Sequence, residues 1–386
     1  MDAVRVAATA AVWLFHWRSS FGFRGPYFLA TRAFAKWANA AFLVLSAVLL
    51  EEKASKPGWA RRFPLAVARR VGRLAILLAV NAALTLSVGA WFLYYRMPGL
   101  LVAADGQITN SRFHWPFHDE VVKVCSDNAK KYGIFMDTLA MLGRVFTGEL
   151  RLTIKGLGAR GCHYALWLFP LEMGSWLVLA VAMVVPGGIY VLLAAVLAAN
   201  IATQGEDRLM VLAVLTASAV AARTCSRLVG AARLGRCTAL VAILAAGALL
   251  LAVGGVNSGE CLSPALFAAA LRLWRSTSRS TQRCRPRAWL AERSAPVNVL
   301  HYLAFLVVHA LQTAAMGDTA PELIAAAAGY GAASLAAAVA VQWVLLDPAL
   351  VALEVVLRWL SSVERALVGR SLPHRFAQDD SAEQKK

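Results

Sequence analysis

The chain has 386 residues, of which 59% are hydrophobic and only 16% charged, whereas a soluble domain carries about 25% charged residues. That composition and a mean hydropathy of +0.59 exclude an ordinary soluble enzyme. The net charge of +17 would suit a nucleic-acid binder, but the basic residues gather between apolar runs, where they read as cytoplasmic membrane-flanking charge; no nucleic-acid partner is expected.

The apolar runs are rich in Ala, Leu and Val and lack the alternation of barrel strands, so the spacing predicts an all-α polytopic transmembrane bundle. The first run covers Ala3–Trp17 and the second Trp37–Leu50. A basic stretch with Lys53, Lys56, Arg61, Arg62, Arg69, Arg70 and Arg73 follows, and is expected to be a cytosolic loop. The third run, Leu74–Tyr95, leads into a long extracytoplasmic loop over residues 96–163.

Tyr164–Val185 is the fourth run, Pro186-Gly187-Gly188 predicts a tight turn, and a fifth run reaches Thr203. Runs six to ten end near Arg223, Val256, Trp274, Met316 and Leu346, with arginine-rich loops after the sixth and eighth. The result is about ten membrane helices of sufficient length with both termini cytosolic. Residues 1–350 form the membrane domain, and 351–386 a helix end and a disordered cytosolic tail.

Ionisable side chains inside apolar spans are costly, and they default to functional candidates. His16 follows Arg5 by eleven residues, which puts both on a similar face of the first helix. A neutral imidazole is the usual proton acceptor near pH 7, and an interfacial histidine is the plain alternative. Glu172, in Leu166-Trp167-Leu168-Phe169-Pro170-Leu171-Glu172, must be paired, hydrated or protonated. It can orient an imidazole or form a structural pair with an arginine. Arg70 and Arg73, one turn apart, suit phosphate groups, with topogenic charge as the alternative.

Further along, His114-Trp115-Pro116-Phe117-His118-Asp119-Glu120 would suit zinc only on a helix, and Pro116 argues against one; no metal is expected. Cys125 and Cys162 lie on the expected oxidising side, where a pair is chemically feasible.

Met1-Asp2-Ala3-Val4-Arg5 followed by His16 resembles the opening Leu-Asp-x-Leu-Arg and histidine of the integral-membrane acyltransferase-3 family. Phe42 to Leu49 looks like its Phe-Phe-x-Leu-Ser-Gly-Phe-Leu, with Ala47 at the usual glycine. Arg70-Val71-Gly72-Arg73 is similar to its Arg-x-x-Arg, and Leu166 to Glu172 to its Leu-Trp-x-Leu-x-x-Glu. Tyr302 to His309 resembles its Tyr-rich segment ending in histidine, and Asp347-Pro348 loosely echoes its Glu-x-Pro.

The resemblance implies O-acylation of a carbohydrate, lipid or small-molecule hydroxyl, with acyl-CoA as donor and co-substrate. It assigns His16, Glu172 and Arg5 to catalysis and Arg70 and Arg73 to the donor. Trp167, Ser46 and His309 fall to the substrate. Two other classes stay open. A transporter or channel also uses intramembrane His, Glu and Arg, but neither inverted repeats nor paired broken helices are evident. A scaffold would tolerate replacement of every intramembrane charge.

Overall fold

The computed structural model describes residues 1–20, 26–84, 87, 168–203, 207–229, 236–253, 262–277, 288–299, 301 and 320–371. Among these residues the chain is helical and contains no strand. The helices are α1 (Asp2–Ser20), α2 (Pro26–Ala54), α3 (Trp59–Leu84), α4 (Leu168–Ala182), α5 (Gly188–Ala202), α6 (Asp207–Val229), α7 (Arg236–Val253) and α8 (Leu262–Thr277). A further helical stretch covers 288–299. α9 (Ala320–Val341) passes through a π-helical turn, Gln342–Leu346, into α10 (Asp347–Ser371).

Three helical stretches among the described residues are long and apolar enough to cross a membrane: Ala33–Ala54, Leu209–Arg227 and Gly331–Val363. The last spans 33 residues, or about 50 Å at 1.5 Å per residue. Leu171–Ala182, Gly188–Ala202 and Thr238–Leu249 are shorter apolar helices.

The basic stretch expected to be a loop is mostly helix. α2 continues to Ala54 and α3 begins at Trp59, leaving only a short link between them. Ala, Arg and Leu are strong helix formers, and charge alone does not stop a helix. Pro57 and Gly58 do stop it, and Gly58 turns the chain at a φ of 74°, which favours glycine. Arg69, Arg70 and Arg73 therefore stand at fixed angles around a helix axis.

The predicted turn between α4 and α5 is present. Gly187 has a φ of 76°, and a Cβ on Gly188 would collide with the Ala182 carbonyl oxygen. Between α9 and α10, the amide of Asp347 bonds back to the Gln342 carbonyl. That wider π turn re-registers the backbone just before Pro348, which has no N–H to give. The helix thus runs on through Asp347-Pro348 and across the expected boundary at residue 350.

α2 is the central column, packed against α1, α4, α6, α7 and α8. Its buried face includes Ala38, Ala41, Leu43, Val44, Ala47 and Val48, and the alanines among them admit neighbouring helices closely. Around it lie Leu171 and Leu179 of α4, Leu215 of α6 and Phe267 and Leu271 of α8. A smaller cluster joins Leu77 and Leu78 of α3 to Val299 and Leu346. α3 thereby connects the main core to the α9–α10 arm.

Candidate functional site

Three helices meet around one carboxylate. Ser46 lies on the buried side of α2, Arg70 in the middle of α3, and Glu172 near the start of α4. The Ser46 hydroxyl donates to Glu172 Oε1 at 2.8 Å. Arg70 Nη2 donates to the Ser46 oxygen at 2.8 Å and also to Glu172 Oε1, closing a triangle. One turn beyond Glu172, Trp176 presents its ring 4.7 Å from the Arg70 guanidinium carbon.

The electrostatics follow from burial. Ser46 is only 8% exposed, and the Arg70 and Glu172 side chains are partly buried. Charges here interact more strongly than in water, and each would be costly to leave alone. The indole face adds a further site for the cation. Arg70 Nε is buried and has no partner among the described residues, so the guanidinium keeps a buried donor unused.

The expected site residues separate into three groups. Ser46, Arg70 and Glu172 come together, although up to 126 positions separate them in the chain. Arg73, expected to act alongside Arg70, instead reaches Glu354 of α10 at 3.3 Å. Arg69 reaches the same carboxylate at 3.0 Å. Arg5 is half-buried in the first turn of α1. His16 belongs to the second half of α1, but its side chain, like Trp167 and His309, lies outside the described residues. So do the His114–Glu120 cluster, Cys125 and Cys162.

Sequence reasoning missed Trp176, although i and i+4 place it on the face of Glu172. It also missed Glu354, an acid set in the apolar run Leu350–Leu357. Glu51 and Glu52, consecutive near the end of α2, reach different helices. Glu51 pairs with Arg223 of α6 at 3.5 Å, and Glu52 with Arg275 of α8 at 2.5 Å.

Fold and site together define a helical protein with membrane-length apolar helices and an ion-paired polar cluster where one of them, α2, meets α3 and α4. Comparison with known protein families, characterised proteins and solved structures returned no match.

Proposed function

We infer that this protein is a membrane-bound acyltransferase of about ten spans, its termini cytosolic. It moves an acyl group, such as acetyl, from acyl-CoA to a hydroxyl of a carbohydrate, lipid or small molecule. One observation carries the reading: Ser46, Arg70 and Glu172, singled out by separate motifs resembling the acyltransferase-3 family, converge in a single hydrogen-bonded cluster.

In this mechanism His16 takes the proton of the acceptor hydroxyl as its oxygen attacks the thioester carbonyl carbon. The C–S bond then breaks, and the departing thiolate recovers the proton from the imidazolium. Glu172 is the carboxylate this reading assigns to orienting the imidazole, and its Oε1 already serves Ser46 and Arg70. Arg5 supplies positive charge on the His16 face of α1. In this reading Arg70 and Arg73 bind the phosphates of the donor, and Trp167, Ser46 and His309 are assigned to the acceptor.

The experiment supplies the purified protein in lipid nanodiscs with acetyl-CoA labelled in the acetyl group and a panel of hydroxylated acceptors. Label in an acceptor, reduced on the order of 10²–10⁴-fold in His16→Ala, is the expected result. Wild-type turnover in His16→Ala sinks the assignment of the base. Solute flux in proteoliposomes without acyl transfer replaces the enzyme by a transporter.

A further inference from the structure

We propose that Lys53, Arg69 and Arg73 form a phosphate-binding rim for the nucleotide part of the donor, with Glu354 of α10 as the resident anion that the phosphate displaces. The inference rests on the acyl-CoA reading and changes its anatomy. Arg70 leaves the phosphate site, while Lys53 and Arg69 enter it.

Helix geometry makes the division. Arg69 and Arg73 are four residues apart and share one side of α3, whereas Arg70 is turned by about 100° from Arg69. The side chains follow that difference. Arg70 is committed to Glu172 and Ser46, and one positive charge there meets one negative. Arg69 places both Nε and Nη2 on Glu354 Oε2, at 3.1 Å and 3.0 Å. Arg73 reaches the other oxygen at 3.3 Å and stays 61% exposed.

Lys53 adds a third cation. It stands exposed in the last turn of α2 and within electrostatic reach of Arg73, Arg70 and Arg69. Its ammonium has no hydrogen bond or ion pair among the described residues, and neighbouring Glu52 is engaged with Arg272 and Arg275 on α8. Lys53, Arg69 and Arg73 therefore carry three positive charges, against Glu354 between the arginines and Glu52 beside Lys53, whose carboxylate is shared with Arg272 and Arg275. Like charges held this close repel one another, and an added polyanion removes that penalty. Guanidinium forks match phosphate oxygens, and the lysine serves as a mobile point charge.

Packing sets where Glu354 sits. Gly72 lies between Arg69 and Arg73, and a Cβ there would come within 2.8 Å of Leu353 Cδ2. That close approach brings α10 to α3 at the residue before Glu354. The carboxylate can bridge both arginines while the rim is empty, and it competes with any incoming phosphate.

The test uses the full chain in phosphatidylcholine nanodiscs and measures binding of coenzyme A itself, without an acyl group. Lys53→Gln and Arg69→Gln are expected to weaken binding about tenfold each, Arg69→Lys less, and Glu354→Gln to tighten it about tenfold, because its competing charge is gone. A brace that merely holds α3 to α10 predicts the opposite for Glu354→Gln, namely loss of thermal stability with no gain in binding. If wild type binds coenzyme A and these variants bind it equally well, the rim is overturned and the transferase reading stands. If wild type binds none, the transferase reading falls, and the rim's ligand with it. In that event, binding to phosphatidylserine vesicles that depends on Lys53 identifies a lipid headgroup site instead.

Discussion

Glu51 and Arg223 form an ion pair between α2 and α6 in which the carboxylate is only 1% exposed, with the Arg223 Nε 3.5 Å from its Oε1. Ser55 donates to the same oxygen from one turn further along. Oε2 is buried and has no partner among the described residues, so the arginine is the main compensation for that charge. Removing one member of a buried pair strands the other, at a cost of about 3–5 kcal/mol. Arg223→Met should therefore destabilise the protein by roughly 3 kcal/mol, and the double variant Glu51→Leu with Arg223→Met by much less. Thermal unfolding in detergent measures both. Equal losses for the single and double variants would show that the pair is not what holds the two helices.

The Ser46–Arg70–Glu172 triangle predicts non-additive losses. Ser46→Ala deletes two hydrogen bonds and leaves the ion pair, for about 1–2 kcal/mol. Arg70→Ala removes the counter-charge from Glu172 and should cost more. Because the residues share partners, combining Arg70→Ala with Glu172→Ala should fall short of the sum of the single effects by about 1 kcal/mol or more. A double-mutant cycle on unfolding free energy gives that coupling directly, and strict additivity would dissolve the triangle as a unit.

These two cases mark how far the sequence could be read. The succession of apolar helices and the Pro186-Gly187-Gly188 reversal were legible, because periodicity, length and turn chemistry are local properties. The helical start of α3 was not, since clustered arginines resemble a loop until Ala, Leu and Val between them are weighed for propensity. Ser46, Arg70 and Glu172 were each visible as candidates, and an arginine pair was one of two alternatives for Glu172, but which arginine would supply it was not. That choice depends on which helices adjoin, and residue spacing within one helix carries no such information. Glu354 was missed for the same reason, as its partners lie 281 and 285 positions away.

The turn between α4 and α5 separates two ways in which glycine matters. Gly187 is left-handed with open space around it, so Gly187→Ala meets only backbone strain, about 1–2 kcal/mol. Gly188 is conformationally ordinary, but a Cβ there meets the Ala182 carbonyl, a backbone atom that cannot rotate away. Gly188→Ala should be the more damaging of the two. Melting temperatures of the two single variants decide it, and a larger drop for Gly187→Ala would contradict the steric argument.

Trp176 tests whether the aromatic face supports Arg70 or merely fills space. The ring is 4% exposed, so any truncation also leaves a cavity, and alanine would confuse the two effects. Trp176→Phe keeps a π face at reduced strength, whereas Trp176→Leu keeps apolar bulk and removes the face. A cation–π contact shielded from water is worth about 1–2 kcal/mol, so the leucine variant should be less stable than the phenylalanine variant by about that amount. In an Arg70→Met background the cation is absent, and the difference between leucine and phenylalanine should shrink toward what packing alone produces. If it stays the same size there, the indole supports the helix interface and does nothing particular for the guanidinium.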